Sequence, residues 1–278
     1  MTTAFHSRRF GVAALAAAGT VAASLAVVAL MASSSPAHPV QPGVKPTVVL
    51  VHGAWADSSS WDAVVQRLQN DGYTVVAPAN PLRSLSGDAA YISSVLVSIS
   101  GPIVLVGHSY GGAVITNAAT GNPNVKALVY INAFAPDQGE SVLQLAGLNP
   151  GSELPSAITE VPYNDGSTNG TDVYIKTADF RAAFAADVPA RQARLMAITQ
   201  RPVTLTALTQ PSGPPAWKAI PSWYLVGLQD EAIPPATQEF MAARAHSHTV
   251  EINSSHASLV SHPATVTNLI LTAIHATT

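Results

Sequence analysis

The sequence predicts an α/β architecture, a mostly parallel, doubly wound sheet with a lid insertion. Three observations carry that expectation. Short apolar, β-branched runs alternate with stretches of helical periodicity along most of the chain. The connections between them are short, which suits parallel strands covered by helices on both faces. One apolar run, residues 103–106, leads into Gly107-His108-Ser109-Tyr110-Gly111-Gly112 and then into a helix-compatible stretch. That strand–turn–helix pattern holds one serine hydroxyl at a sharp, strained bend, with glycines at two residues before and two after it.

The elements follow in order. Residues 47–51, Thr-Val-Val-Leu-Val, read as a buried strand, with His52-Gly53-Ala54-Trp55 as the loop after it. Residues 58–70 carry Trp61, Val64, Val65 and Leu68 at helical spacing, with Ser58 as the expected cap and Asp71-Gly72 as the stop. A strand is expected over 73–77 and a helix over 88–99, ended by Gly101-Pro102. After the elbow strand, a helix over 111–120 ends at Gly121, and 125–131 reads as a strand. From about 136 to 215 the alternation breaks down into Gly-, Pro-, Ser- and Thr-rich sequence with one helical patch near 180–200, as expected of a lid. Alternation resumes with strands over 223–226 and 248–252 and helices over 235–245 and 263–275.

The chain has 278 residues, of which 47% are hydrophobic and 10% charged, enough material for one large core. The first forty residues bias those figures. Arg8 and Arg9 precede a run over 11–32 without a charge, followed by Ser35-Pro36-Ala37. Residues 1–37 therefore read as a signal peptide or a membrane anchor, residues 38–46 as a linker, and 47–278 as the folded domain. This predicts export, to the periplasm or outside the cell, with membrane contact only through the N-terminal segment. Two of the 13 basic residues and none of the 16 acidic residues precede residue 38, which leaves the remainder at a formal charge of −5. No basic patch stands out, so nucleic acid is not an expected partner. The chain contains no cysteine, which excludes disulfides, thiolate metal sites and a Cys nucleophile. No metal-ligand spacing and no phosphate-cradling glycine loop is present, so no cofactor is expected.

A serine hydroxyl attacks a carbonyl only when a base removes its proton, and the base is typically a histidine oriented by a carboxylate. On such a sheet these groups come from loops at the strand C-terminal edge, in chain order Ser, acid, His. Asp230 follows the 223–226 strand and His256 follows the 248–252 strand. Asp137 and Glu231 are weaker candidate acids, and His246, His248 and His262 weaker candidate bases. His52 and His108 lie too close to the elbow strands for the base position and are expected to support loop geometry. The developing oxyanion needs two donors. The amides of Tyr110, after the serine, and Ala54, in the His52-Gly53-Ala54 loop, are in position to supply them. Phe180, Phe184, Leu195, Met196, Leu205, Leu208 and Trp217 are the lid residues expected to line an apolar pocket or to fill the lid core.

Residues 49–55, the 107–112 elbow, Asp230 with Ile233-Pro234, and His256 with His262-Pro263 together resemble the α/β-hydrolase superfamily. Within it they look like bacterial relatives of the branch that holds plant methyl-ester esterases and hydroxynitrile lyases. The resemblance spans about residues 46–276 and implies Ser109 as nucleophile, Asp230 as acid, His256 as base, and the Ala54 and Tyr110 amides as the oxyanion hole. Lyases of that branch carry threonine and lysine where this chain has Gly53 and Ala257. The resemblance thus implies hydrolysis of a small-molecule carboxylic ester through an acyl-enzyme. Perhydrolysis, C–C bond hydrolysis by the same three residues, and non-catalytic ligand binding remain the alternatives.

Overall fold

The computed structural model describes residues 44–278. The expected export segment and all but the last three residues of the expected linker lie outside the described residues. Among the described residues, no helix is long and apolar enough to cross a membrane.

The apolar runs form strands. β1 (Thr47–Val51), β2 (Val75–Val76), β3 (Ile103–His108), β4 (Val125–Ile131), β8 (Ser222–Gly227) and β9 (His248–Ile252) make one sheet in the order β2-β1-β3-β4-β8-β9. Every pairing in it is parallel. The intervening helices are α1 (Asp62–Asn70), α2 (Leu85–Val97) and α3 (Tyr110–Ala118), and after β8 come α9 (Pro235–Arg244), α10 (Ser258–Ser261) and α11 (Pro263–Thr277). The two-residue period of a strand explains why both faces need covering. Val48, Leu50, Val104 and Val106 pack against Val64 and Leu68 of α1 and Val266 and Ile270 of α11. Val49, Val51, Leu105 and Tyr130 point the other way, into a core with Ile92 of α2 and Val114 of α3. Each such side chain, fully removed from water, contributes about 2 kcal/mol.

The strand expected over 73–77 shortens to Val75–Val76, and two helix starts also differ from the sequence reading. Ser58 does not cap the helix that follows it. Residues 58–61 form a 3₁₀ turn, and Asp57 caps that turn by accepting from the Ser59 amide at 2.8 Å. The second helix starts earlier than expected because Ser84 caps it, accepting from Gly87 N.

Between β4 and β8 lies a cap with its own architecture. Its elements are α4 (Val142–Ala146), α5 (Leu154–Ala157), β5 (Ile158–Asn164), β6 (Asn169–Ile175), α6 (Phe180–Phe184), α7 (Ala190–Thr199), β7 (Val203–Thr204) and α8 (Leu205–Thr209). β5, β6 and β7 form a three-stranded antiparallel sheet that sequence periodicity does not reveal. β5 reads Ile-Thr-Glu-Val-Pro-Tyr-Asn and is exposed along most of its length, so it lacks an apolar alternation. The local signal that does exist is its turn, where Asp165 Oδ1 accepts from the Ser167 and Thr168 amides at 2.9 and 2.7 Å.

The strand order reverses direction between β1 and β3, since the chain runs from β1 out to β2 and then back across to β3. Loops leaving the C-terminal ends of β1 and β3 therefore diverge, and a crevice opens there. Ala54 and Ser109 sit on its two sides.

Candidate active site

Ser109 stands between β3 and α3 with φ 53° and ψ −125°, the left-handed side of the map where a side chain is strained by about 1–3 kcal/mol. Backbone bonds over-determine it. Its amide donates to Ile131 O at 3.3 Å, and its carbonyl accepts from Gly112 N at 2.9 Å and Phe134 N at 3.1 Å. Glycine is needed around it for close approach. A Cβ at Gly107 meets Gly111 O at 2.6 Å, and one at Gly111 meets Val51 O at 2.4 Å. A Cβ at Gly53 meets Ser109 Cβ at 2.6 Å, so the loop after β1 lies directly against the elbow.

The loop after β8 delivers Asp230 and the loop after β9 delivers His256, both almost wholly buried. His256 Nδ1 and Asp230 Oδ2 are 2.8 Å apart. Four further donors fix the carboxyl group. Oδ1 accepts from the Ala232 and Ile233 amides, both at 2.8 Å. Oδ2 accepts from Gln238 Nε2 at 2.8 Å and Asn132 Nδ2 at 3.1 Å. With its Nδ1 side anchored, the imidazole keeps Nε2 buried with no hydrogen-bond partner among the described residues. The structure thus joins His256 to Asp230 directly, while no hydrogen bond links Ser109 Oγ to the ring.

Packing holds the ring from both sides. The His108 ring lies 4.8 Å away at 49°, and Phe184 of the cap lies 4.8 Å away at 68°. His108 Nε2–H donates to His256 O at 3.0 Å. Burial, and then the neighbouring His256, push the His108 pKa well below the ordinary imidazole value, so it stays neutral beside the second ring. Ala257 N donates to Phe184 O at 3.1 Å, tying the His256 loop to the cap.

His52 shapes the other side. Its Nδ1–H donates to Gly53 O at 2.9 Å, and its Nε2 accepts from Asn80 N at 2.9 Å. Burial lowers its pKa from 6.5 to about 4. A histidine depressed in this way takes up its proton on unfolding. Folding stability is therefore undiminished above pH 6.5 and falls as the pH drops toward 4, by up to about 3 kcal/mol from this residue. Urea midpoints at pH 7 and pH 4.5 check this. The acid-induced drop is expected to be smaller in His52→Gln, whose amide oxygen can still accept from Asn80.

Tyr110 begins α3, so its amide has no intrahelical acceptor and lies at the positive end of the helix dipole. Its hydroxyl donates to the buried Asp88 Oδ2 at 2.8 Å. Burial raises the Asp88 pKa, and burial beside that carboxyl raises the Tyr110 pKa. Ala54, Ser109 and Tyr110 line a cavity of about 280 Å³ whose remaining wall is mostly aliphatic, including Leu154, Ile158, Val173 and Leu208.

Of the lid residues expected at the pocket, Leu208 alone lines this cavity. Phe180, Phe184 and Trp217 are cap core, and Leu195 is 59% exposed. Asp137 does not approach His256. It pairs with Lys218 at 2.6 Å on the surface. Sequence reasoning missed Asn132 and Gln238 as partners of Asp230. Asn132, at φ 43°, also accepts from Ser258 Oγ, and a Cβ on Gly227 would meet its Nδ2 at 2.2 Å. An asparagine closing an otherwise apolar strand was the available signal.

The model of a family described as the alpha/beta hydrolase family matches residues 48–269. A carbendazim hydrolyzing esterase from Nocardioides sp. (strain SG-4G) is 34% identical over 110 residues, 35% of this chain and 46% of that relative. The chain thus spans under half the length of that relative. A pyrethroid hydrolase from Sphingobium wenxiniae is 29% identical over 213 residues, 70% of this chain and 74% of the relative. The crystal structure of the Arabidopsis methylesterase MES16 superposes with a TM-score of 0.68 at 19% identity, covering 83% of this chain and 99% of that one. With a parallel sheet, an elbow serine and a family match over most of its length, the chain belongs to the alpha/beta hydrolase family.

Proposed function

We propose that this protein is a serine hydrolase that cleaves small-molecule carboxylic esters through an acyl-enzyme on Ser109. One observation carries the reading. The His256 imidazole is fixed through Nδ1 by a five-times-bonded Asp230, its Nε2 is buried without a partner among the described residues, and its ring lies 4.8 Å from that of His108, the residue before Ser109. Relatives named as a carbendazim esterase and a pyrethroid hydrolase support ester chemistry.

In this reading Ser109 Oγ attacks the ester carbonyl and passes its proton to His256 Nε2. The oxyanion accepts from the Ala54 and Tyr110 amides, each donor lowering the barrier by about 3 kcal/mol. Collapse releases the alcohol, which takes the proton from Nε2, and the acyl group stays on Ser109. Water then repeats the sequence, losing a proton to Nε2 and releasing the carboxylic acid. Asp230 keeps the imidazole in the tautomer with the proton on Nδ1 and stabilises the imidazolium.

The protein lacking residues 1–37 is expected to turn over short p-nitrophenyl esters. Asp230→Asn is expected to lower kcat by about 10⁴-fold with the fold retained, because an amide can hold the wrong tautomer. Steady-state kinetics with a circular dichroism check measure both. A fall under tenfold removes Asp230 from the assignment. The reading extends to location. On the sequence of residues 1–37 the enzyme is exported, and N-terminal sequencing of the protein recovered outside the cytoplasm is expected to begin near residue 38.

A further inference from the structure

Trp55 directly follows the Ala54 amide and takes φ 57°, a conformation that a bulky side chain rarely adopts. Glycine or asparagine would make the same bend with less strain. The bend is held by two bonds to the cap. Trp55 N donates to Arg201 O at 3.0 Å and Nε1 to Val173 O at 2.9 Å. The indole is 5% exposed and meets Phe184 edge-on at 6.3 Å. It also borders two separate cavities of about 280 Å³ each. One is the aliphatic cavity that contains Ser109. The other shares only Trp55 with it and is lined by polar residues that include Asp57, Ser59 and Gln200.

We propose that the Trp55 indole is the partition that sets the longest acyl chain the active-site cavity admits. The proposal rests on the esterase reading for its substrate class. Strain at a bulky residue points to a local demand that packing alone does not explain, and a wall between two cavities is such a demand. Val173, which anchors the indole through its carbonyl, itself lines the Ser109 cavity. Trp55 thus lines the same cavity as Ser109 and the aliphatic wall that an acyl chain on Ser109 would run along. With the ring removed, the two cavities become continuous and a longer chain can pass.

The test compares the wild type with Trp55→Ala and Trp55→Leu, the leucine variant guarding against failure of the alanine variant to fold. The ratio of kcat/KM for p-nitrophenyl decanoate to that for p-nitrophenyl butyrate is expected to rise about tenfold or more in Trp55→Ala and less in Trp55→Leu. Calorimetric binding of straight-chain carboxylates from butyrate to decanoate reads the same cavity without turnover. The longest chain bound is expected to increase in the same order. An unchanged ratio and an unchanged length limit in the folded variants overturn the proposal. If no variant hydrolyses esters while the carboxylate limit lengthens, the esterase reading fails and the partition stands.

Discussion

Replacing Ser109 by alanine is expected to lower kcat on p-nitrophenyl acetate by about 10⁶-fold. The effect should be confined to chemistry. The Ser109 side chain makes no capping hydrogen bond to α3, so its removal orphans no buried partner. Alanine carries the same Cβ, so the strain at φ 53° and the contacts around the elbow are unchanged. Urea midpoints of the variant and the wild type should agree within about 0.5 kcal/mol, the range of a substitution that breaks no packing. A variant retaining a tenth of wild-type turnover would remove Ser109 from the reaction.

Gly111→Ala should have the largest effect on stability. Its Cβ would lie 2.4 Å from Val51 O and 2.8 Å from His52 O. Both are backbone atoms at the end of a central strand, so no side-chain rotation relieves the clash. α3 must move away from β1, which opens the packing of Val51 and Val114 and displaces the loop that carries Ala54. Overpacking of this kind costs about 3 kcal/mol or more. Gly147→Ala is the matched control. Its nearest neighbour is at 3.7 Å and its φ is −91°, so alanine fits there with little change. Denaturation midpoints for the two variants should differ by most of that 3 kcal/mol. Equal midpoints would mean that the close contact of helix and strand at the elbow is not required.

Much of the sheet was legible because its central strands are buried on both faces. β1, β3, β4 and β8 are apolar runs bounded by Gly, Pro or Asn, and the helices between them carry caps or breakers in sequence. The positions of Ser109, Asp230 and His256 followed from the same logic, since each stands just past a strand that could be read. Partners defined across the fold were not legible. Asn132 and Gln238 lie 98 and 8 residues from the Asp230 they bond, and apart from the place of Asn132 at the end of an apolar strand no local pattern marks them as its partners. The Asp88–Tyr110 bond spans 22 residues and escaped for the same reason. In the cap, β5 is an exposed strand containing Glu160 and Pro162, so its pairing with β6 is set by the turn at Asp165 rather than by hydrophobic alternation. Leu195 and Leu208 look alike in sequence, yet one faces solvent and the other the cavity.

The most direct measurement is covalent labelling by an alkyl fluorophosphonate, which reacts only with a serine whose proton a neighbouring base can take. Intact mass is expected to show one adduct per chain, peptide mapping is expected to assign it to Ser109, and His256→Ala is expected to slow its formation by several orders of magnitude. Labelling at another residue, or labelling of Ser109 at the same rate without the 256 imidazole, contradicts the pairing of this serine with this histidine.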